Sequence, residues 1–289
     1  MKHPPYIFKT AILVIAWLTV ISSIHAEESA KESPKTEAKN QEKPDVEAQN
    51  KAKEQIKLAQ NREELVMPGL KILVKKGYVD VDAKVCLTEG LLELLACTKD
   101  SKEHESLVAV EPKAANIHAA LLLVGAQPGS PAMRKEMETE EGPRWVDIEP
   151  RGQEIDVYLV FNNDNGELVE HSIKEFLIRG AEDFDAPPDE GNKKNKKEDR
   201  AFPTHTFLFV GSHVFKDGEA DPVYVADQSG NVISISTFGD ELLALPGVHG
   251  NANEGLVWAI DPTHLPPLNT KVILRLKPKK PAEPEEPKK

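Results

Sequence analysis

Apolar and polar positions alternate at period two early in the chain, where Val79, Val81, Ala83, Val85 and Leu87 are separated by Asp80, Asp82, Lys84 and Cys86. Successive side chains of a strand point to opposite faces, so this pattern predicts a strand with one buried and one wet face. Thr88-Glu89-Gly90 offers a turn and Leu91 to Cys97 a second apolar run, which together predict a hairpin. A further strand is expected over Lys102 to Val110. Others follow at Ile155 to Phe161, at Leu168 to Ile178 after the Asn162 to Gly166 turn, and at Thr204 to Val210. Val223 to Ala226 and Val232 to Thr237 read as another hairpin around Asp227-Gln228-Ser229-Gly230-Asn231, with Gly230 suited to positive φ. Val272 to Leu276 closes the expected sheet.

One stretch departs from this period. Pro112 is tolerated at the start of a helix, Ala114 to Val124 are apolar or good helix formers, and Gly125 ends the run. Beyond Asn116 it is apolar on nearly every side, which predicts a helix packed in the core. The expected fold class is α+β: a β-rich single domain with one buried helix packed on a mainly antiparallel sheet. A long disordered N-terminal linker precedes it and a short disordered C-terminal tail follows.

The chain ends lack such patterning. Lys2 and Lys9 precede the apolar run Ala11 to Ile24, and Ala26 with Glu27 offers a small-residue cleavage position, so residues 1–26 read as an export signal. The run falls short of the roughly 18 apolar residues that mark a membrane span. The mature chain is therefore expected to carry no stable span and to be periplasmic or extracellular. Residues 27–65 are rich in Glu, Lys, Ala, Gln and Asn and read as a disordered or partly helical charged linker. The domain is expected over 66–277, interrupted by a mobile insertion at 181–203, with a Pro-, Lys- and Glu-rich tail over 278–289.

Charge narrows the partners. The formal net charge of -12, from 48 acidic against 36 basic residues, disfavours a phosphate backbone, so no nucleic-acid partner is expected. The chain has two cysteines, Cys86 and Cys97. The hairpin reading sets them several positions out of register, which strains a direct bridge, whereas an exported chain makes a bridge the ordinary expectation. Disulfide and free thiols both remain open.

Candidate chemistry gathers in Lys102-Glu103-His104-Glu105-Ser106-Leu107 and in His118 of the following helix. On a strand, His104 and Ser106 face one side while Glu103 and Glu105 face the other. A metal site would recruit His104 and His118, with zinc as the ion such ligands suit. A hydrolase would ask Ser106 to act as nucleophile with His104 or His118 as base. Against both stands the structural reading, in which His104 caps backbone groups and His118 is a satisfied core histidine. Ser106 lacks the Gly-x-Ser-x-Gly setting of an exposed nucleophile, and no phosphate-cradling loop or dinucleotide fingerprint is present.

These same pieces carry a resemblance. Lys102 to Leu107, Ile117 to Ala126 with Pro128-Gly129-Ser130-Pro131, Gly211-Ser212, and Ala226 to Gly230 resemble the YdjY-domain family of bacterial exported proteins. A ferredoxin-like label carried by some members implies an iron-sulfur cluster, but a cluster normally takes four thiolates and this chain has two cysteines. No cofactor is expected. The function expected is an exported, non-catalytic binding or structural module with a protein or small-molecule partner. The alternatives are a metal-binding protein or metal-dependent hydrolase using His104 and His118, and a redox-associated protein without its own iron-sulfur cluster.

Overall fold

A computed structural model of the chain describes residues 59–139, 142–180, 201–218, 220–250 and 257–280. The expected signal at 1–26, most of the linker, residues 181–200 of the insertion and the tail beyond 280 lie outside the described residues.

Eight strands form the wall of the domain: β1 (Tyr78–Val85), β2 (Leu94–Thr98), β3 (Ser106–Val110), β4 (Gln153–Asn162), β5 (Thr206–Phe209), β6 (Asn231–Ser234), β7 (Leu243–Ala244) and β8 (Lys271–Pro278). Their hydrogen-bonded order is β1-β8-β4-β5-β7-β6-β2-β3, and β3 pairs back onto β1 through Ala83↔Val110, Lys84↔Ala109 and Val85↔Val108. The wall is a closed eight-stranded barrel, and the protein is mostly β. This corrects the α+β expectation of a helix packed on an open sheet. Alternation shows that one face of a strand is buried without showing what buries it; here the sheet covers its own inner face by closing.

The expected hairpin between Val79 and Cys97 is also replaced. β3 lies between β1 and β2, antiparallel to the first and parallel to the second, with Leu94 opposite Ser106 and Cys97 opposite Ala109. Asp227 to Ser229 likewise form no hairpin turn. They belong to a short helix, α2 (Val225–Ser229), which Gly230 ends at φ +81 before β6 begins. The helix α1 (Ala114–Leu123) is buried as its composition predicts and joins the barrel in one core cluster, Ile117, Ala120 and Leu121 lying with Val81, Val108, Phe207 and Leu274. Its N-terminus has no side-chain cap of its own; Asp227 of α2 accepts from Ala115 N at 3.0 Å.

Order reaches into the expected flanks. Leu65 pairs with Ile72, Phe202 is buried edge-on against Trp258, and Lys279 N donates to Glu154 O at 2.8 Å. Apart from the barrel, Met133–Thr139 and Gly142–Ile148 form a two-stranded sheet paired only within itself.

Candidate functional site

The Lys102 to Leu107 motif is a turn running into a strand. Glu103–Glu105 form one turn of 3-10 helix and Ser106 opens β3. The face-by-face separation expected of an extended strand therefore does not apply to Glu103, His104 and Glu105. Each has a local partner: Glu103 accepts from Asp100 N, while Glu105 lies 3.4 Å from Lys102 Nζ and 3.8 Å from His104 Nε2. The His104 side chain is 78% exposed. Ser106 is fully buried and donates its hydroxyl to Lys102 O at 2.8 Å, which closes the turn and withholds this group from solvent as a nucleophile.

His118 is placed differently. Its ring is sealed in the core beside Phe209 and Tyr224, 4.9 and 5.6 Å between centroids. Tyr224 Oη donates to Gly211 O at 2.7 Å, so the 2.8 Å contact to His118 Nδ1 is a bond donated by the imidazole. Nε2 then carries a lone pair and has no partner. Burial holds the ring neutral, bringing its pKa down to about 3 against a weak upward pull from Gly211 O. One imidazole stands in solvent and the other in the core, so the structure does not bring His104 and His118 together. Among the described residues, no three His, Cys, Asp or Glu side chains group as a metal site.

The structure does bring together two residues that sequence spacing held apart. Cys86, half-buried just past β1, and Cys97, buried in β2, are free thiols whose titrations act on one another. Both reach Ser106: Cys86 Sγ lies 3.1 Å from its carbonyl, and its hydroxyl stands beside Cys97 with Ser101 Oγ and Lys102 N–H. Interaction with Cys86 lowers the pKa of Cys97, while the same interaction, with burial, raises that of Cys86. The far side of this nest is Gly230, whose carbonyl accepts from Thr98 N and whose Cα faces the Ser101 side chain.

A second feature lies across the Lys102 turn. Lys102 Nζ sits 4.1 Å over the Phe238 ring, and Phe238 lines a cleft of ≈ 360 Å³ at the root of the Met133–Ile148 sheet. Arg134, Asp147, Thr237 and His249 complete the part of the lining that carries polar groups. Along the sheet, Met133, Met137 and Val146 share one face and Trp145 stands on the other, with exposures of 45, 48, 40 and 67%.

Residues 70–277 match the family model for the YdjY domain. The chain belongs to the YdjY-domain family. No curated protein and no solved structure matches it. In this YdjY-domain protein the segments that carry the resemblance surround the two buried groups just described. The Lys102 turn and Gly230 enclose Cys97, while the Gly211 carbonyl and Pro128 border the His118 and Tyr224 pair. The motif residues Ser106 and His118 were legible as candidates. The cysteine pair was not, because the spacing signal presumed a hairpin that β3 interrupts. Among the described residues, no helix is long and apolar enough to cross a membrane.

Proposed function

We propose that this protein is an exported, non-catalytic binding module that takes extended segments of a partner along the Met133–Ile148 sheet and into the cleft at its root. One observation carries the reading: a two-stranded sheet standing off the barrel exposes Met133, Met137, Val146 and Trp145. Exposed apolar groups clustered on one element mark interaction surfaces more often than a scattered few do. Methionine adapts to varied partners and tryptophan is a frequent anchor of binding energy. An extended segment fits because Met133 and Met137, four residues apart on one strand, point to the same face, matching the alternate side chains that a strand laid alongside would present. The apolar run before Ala26 and the charged stretch after it support export on a tether.

Selection of a random peptide display library against the full chain tests this reading. The expected result is enrichment of extended sequences with apolar residues at alternate positions. Their affinity should fall roughly tenfold or more in a Met137→Ala, Trp145→Ala double variant, the usual scale for losing an anchor. A Leu168→Ala variant, altering an exposed residue on the Leu168–Ser172 strand that pairs with β4, should bind as the parent does. Enriched peptides that bind the double variant as well as the parent would refute the proposal.

A further inference from the structure

The Met133–Thr139 and Gly142–Ile148 strands pair with each other and with no other described strand, so each keeps one open edge. The two edges differ. Pro143 has no N–H, and a proline stands inside a paired strand where that donor would face away from its neighbour, so the outer edge of Gly142–Ile148 lacks a donor. Pro143 lies opposite Glu138. Backbone groups turn inward and outward at alternate residues, which sets the N–H and C=O of Arg134, Glu136 and Glu138 on the outer edge of Met133–Thr139. That edge is seven residues long, holds no proline and can accept a further strand. Its root meets the cleft, where Gly239 comes close to Ala132 O.

Charge is sorted between the two faces. Met133, Lys135 and Met137 share one face with Val146 and Ile148, while Arg134, Glu136 and Glu138 share the other with Trp145 and Asp147. Arg134 is held by Asp147 at 2.8 Å. Glu136 and Glu138 are exposed and, among the described residues, have no ion-pair partner. Glu140 and Glu141 continue the acidic run in the sequence, and the whole chain carries a formal net charge of -12. A strand laid beside the edge sets its side chains against these in turn, and opposite charges directly across a pair attract. We propose, resting on the reading of this sheet as the binding surface, that the partner segment is a basic strand added to the Met133–Thr139 edge by main-chain hydrogen bonds. Lys or Arg of the partner stand against Glu136 and Glu138, and apolar side chains on its other face stand against Met133 and Met137. The negative field of the chain steers such a segment toward the sheet. An acidic segment would set like charges opposite one another, and a second copy laid antiparallel along the same edge would bring these glutamates together.

The probe is a fluorescein-labelled peptide, Thr-Val-Lys-Val-Lys-Val-Thr, titrated with the full chain and read by anisotropy; its counterpart carries Glu in place of both Lys. The parent should bind the lysine peptide roughly tenfold or more tighter than the glutamate peptide, and added salt should narrow the difference. A Glu136→Lys, Glu138→Lys variant should reverse the preference, an exchange that a misfolded variant would not produce. Methylating alternate backbone nitrogens of the lysine peptide should abolish binding at one set of positions and spare it at the other, because only one set faces the edge. Equal effects from the two sets would overturn the proposal. Equal affinity for the lysine and glutamate peptides, both lost in the Met137→Ala, Trp145→Ala variant, would overturn the basic strand while leaving the sheet as the binding surface. Binding that this double variant keeps in full would overturn both. No binding of the lysine peptide, or a parent dimer in sedimentation that the peptide does not dissociate, would also overturn the proposal.

Discussion

At His118 the cost of burying an ionisable ring becomes a measurable pH dependence. Its pKa is about 3 in the fold against the ordinary 6.5, so between those values the unfolded chain binds a proton that the folded chain refuses. Stability from this group is complete above 6.5 and is lost as pH falls toward 3. Urea unfolding at pH 5 should show about 2 kcal/mol less of this contribution than at pH 7, the linkage expected for 1.5 pH units inside the window. A folded His118→Gln variant should lack that share of the slope while the other titrating groups keep theirs. At Gly230 the constraint is steric: φ is +81 and an added Cβ would overlap the Ser101 side chain. Gly230→Ala should destabilise by on the order of 2 kcal/mol or more in chemical unfolding, and should disturb the thiol nest through Ser101. The sequence showed the turn-forming glycine but not Ser101 against it, because that contact joins segments far apart in the chain.

Among the elements, local period was readable and partnership was not. Val79, Val81, Ala83 and Val85 alternate correctly because side-chain direction is a property of one strand. Besides the Leu70–Leu73 strand just before it, the neighbours of β1 are β8 from the far end of the domain and β3, and no local signal selects these two. The same limit explains α1: its burial followed from Ile117 to Leu121, whereas its cap, Asp227, comes from α2. It also explains the site. Ser106 and His118 were legible as unusual residues, but the convergence of Cys86 and Cys97 on Ser106 depends on a strand inserted between their own. The Met133–Ile148 sheet is paired only within itself, so its exposed side chains add little to the barrel core. Met137→Ala with Trp145→Ala should change unfolding free energy by within about 0.5 kcal/mol, the range of surface substitutions, even as peptide affinity falls. A much larger loss in thermal unfolding would assign those side chains to the fold instead.

At the scale of the molecule, closure joins the helix and the wall into one core. Leu121 of α1 and Leu274 of β8 are both fully buried in the same cluster. Leu121→Ala and Leu274→Ala should each cost about 2–5 kcal/mol, and each should leave a single transition seen alike by Trp258 fluorescence and far-UV circular dichroism. Separate transitions would divide the helix from the barrel. A barrel filled by its own side chains leaves binding to its surface, and the surface sheet with its cleft gathers Met133, Met137, Trp145, Val146 and Val248 among the exposed apolar side chains. Hydrogen-deuterium exchange of the full chain with and without a display-selected peptide tests that claim most directly. The account predicts added protection across 133–148 and 237–250, with the barrel strands unchanged. Protection confined to other segments would contradict it.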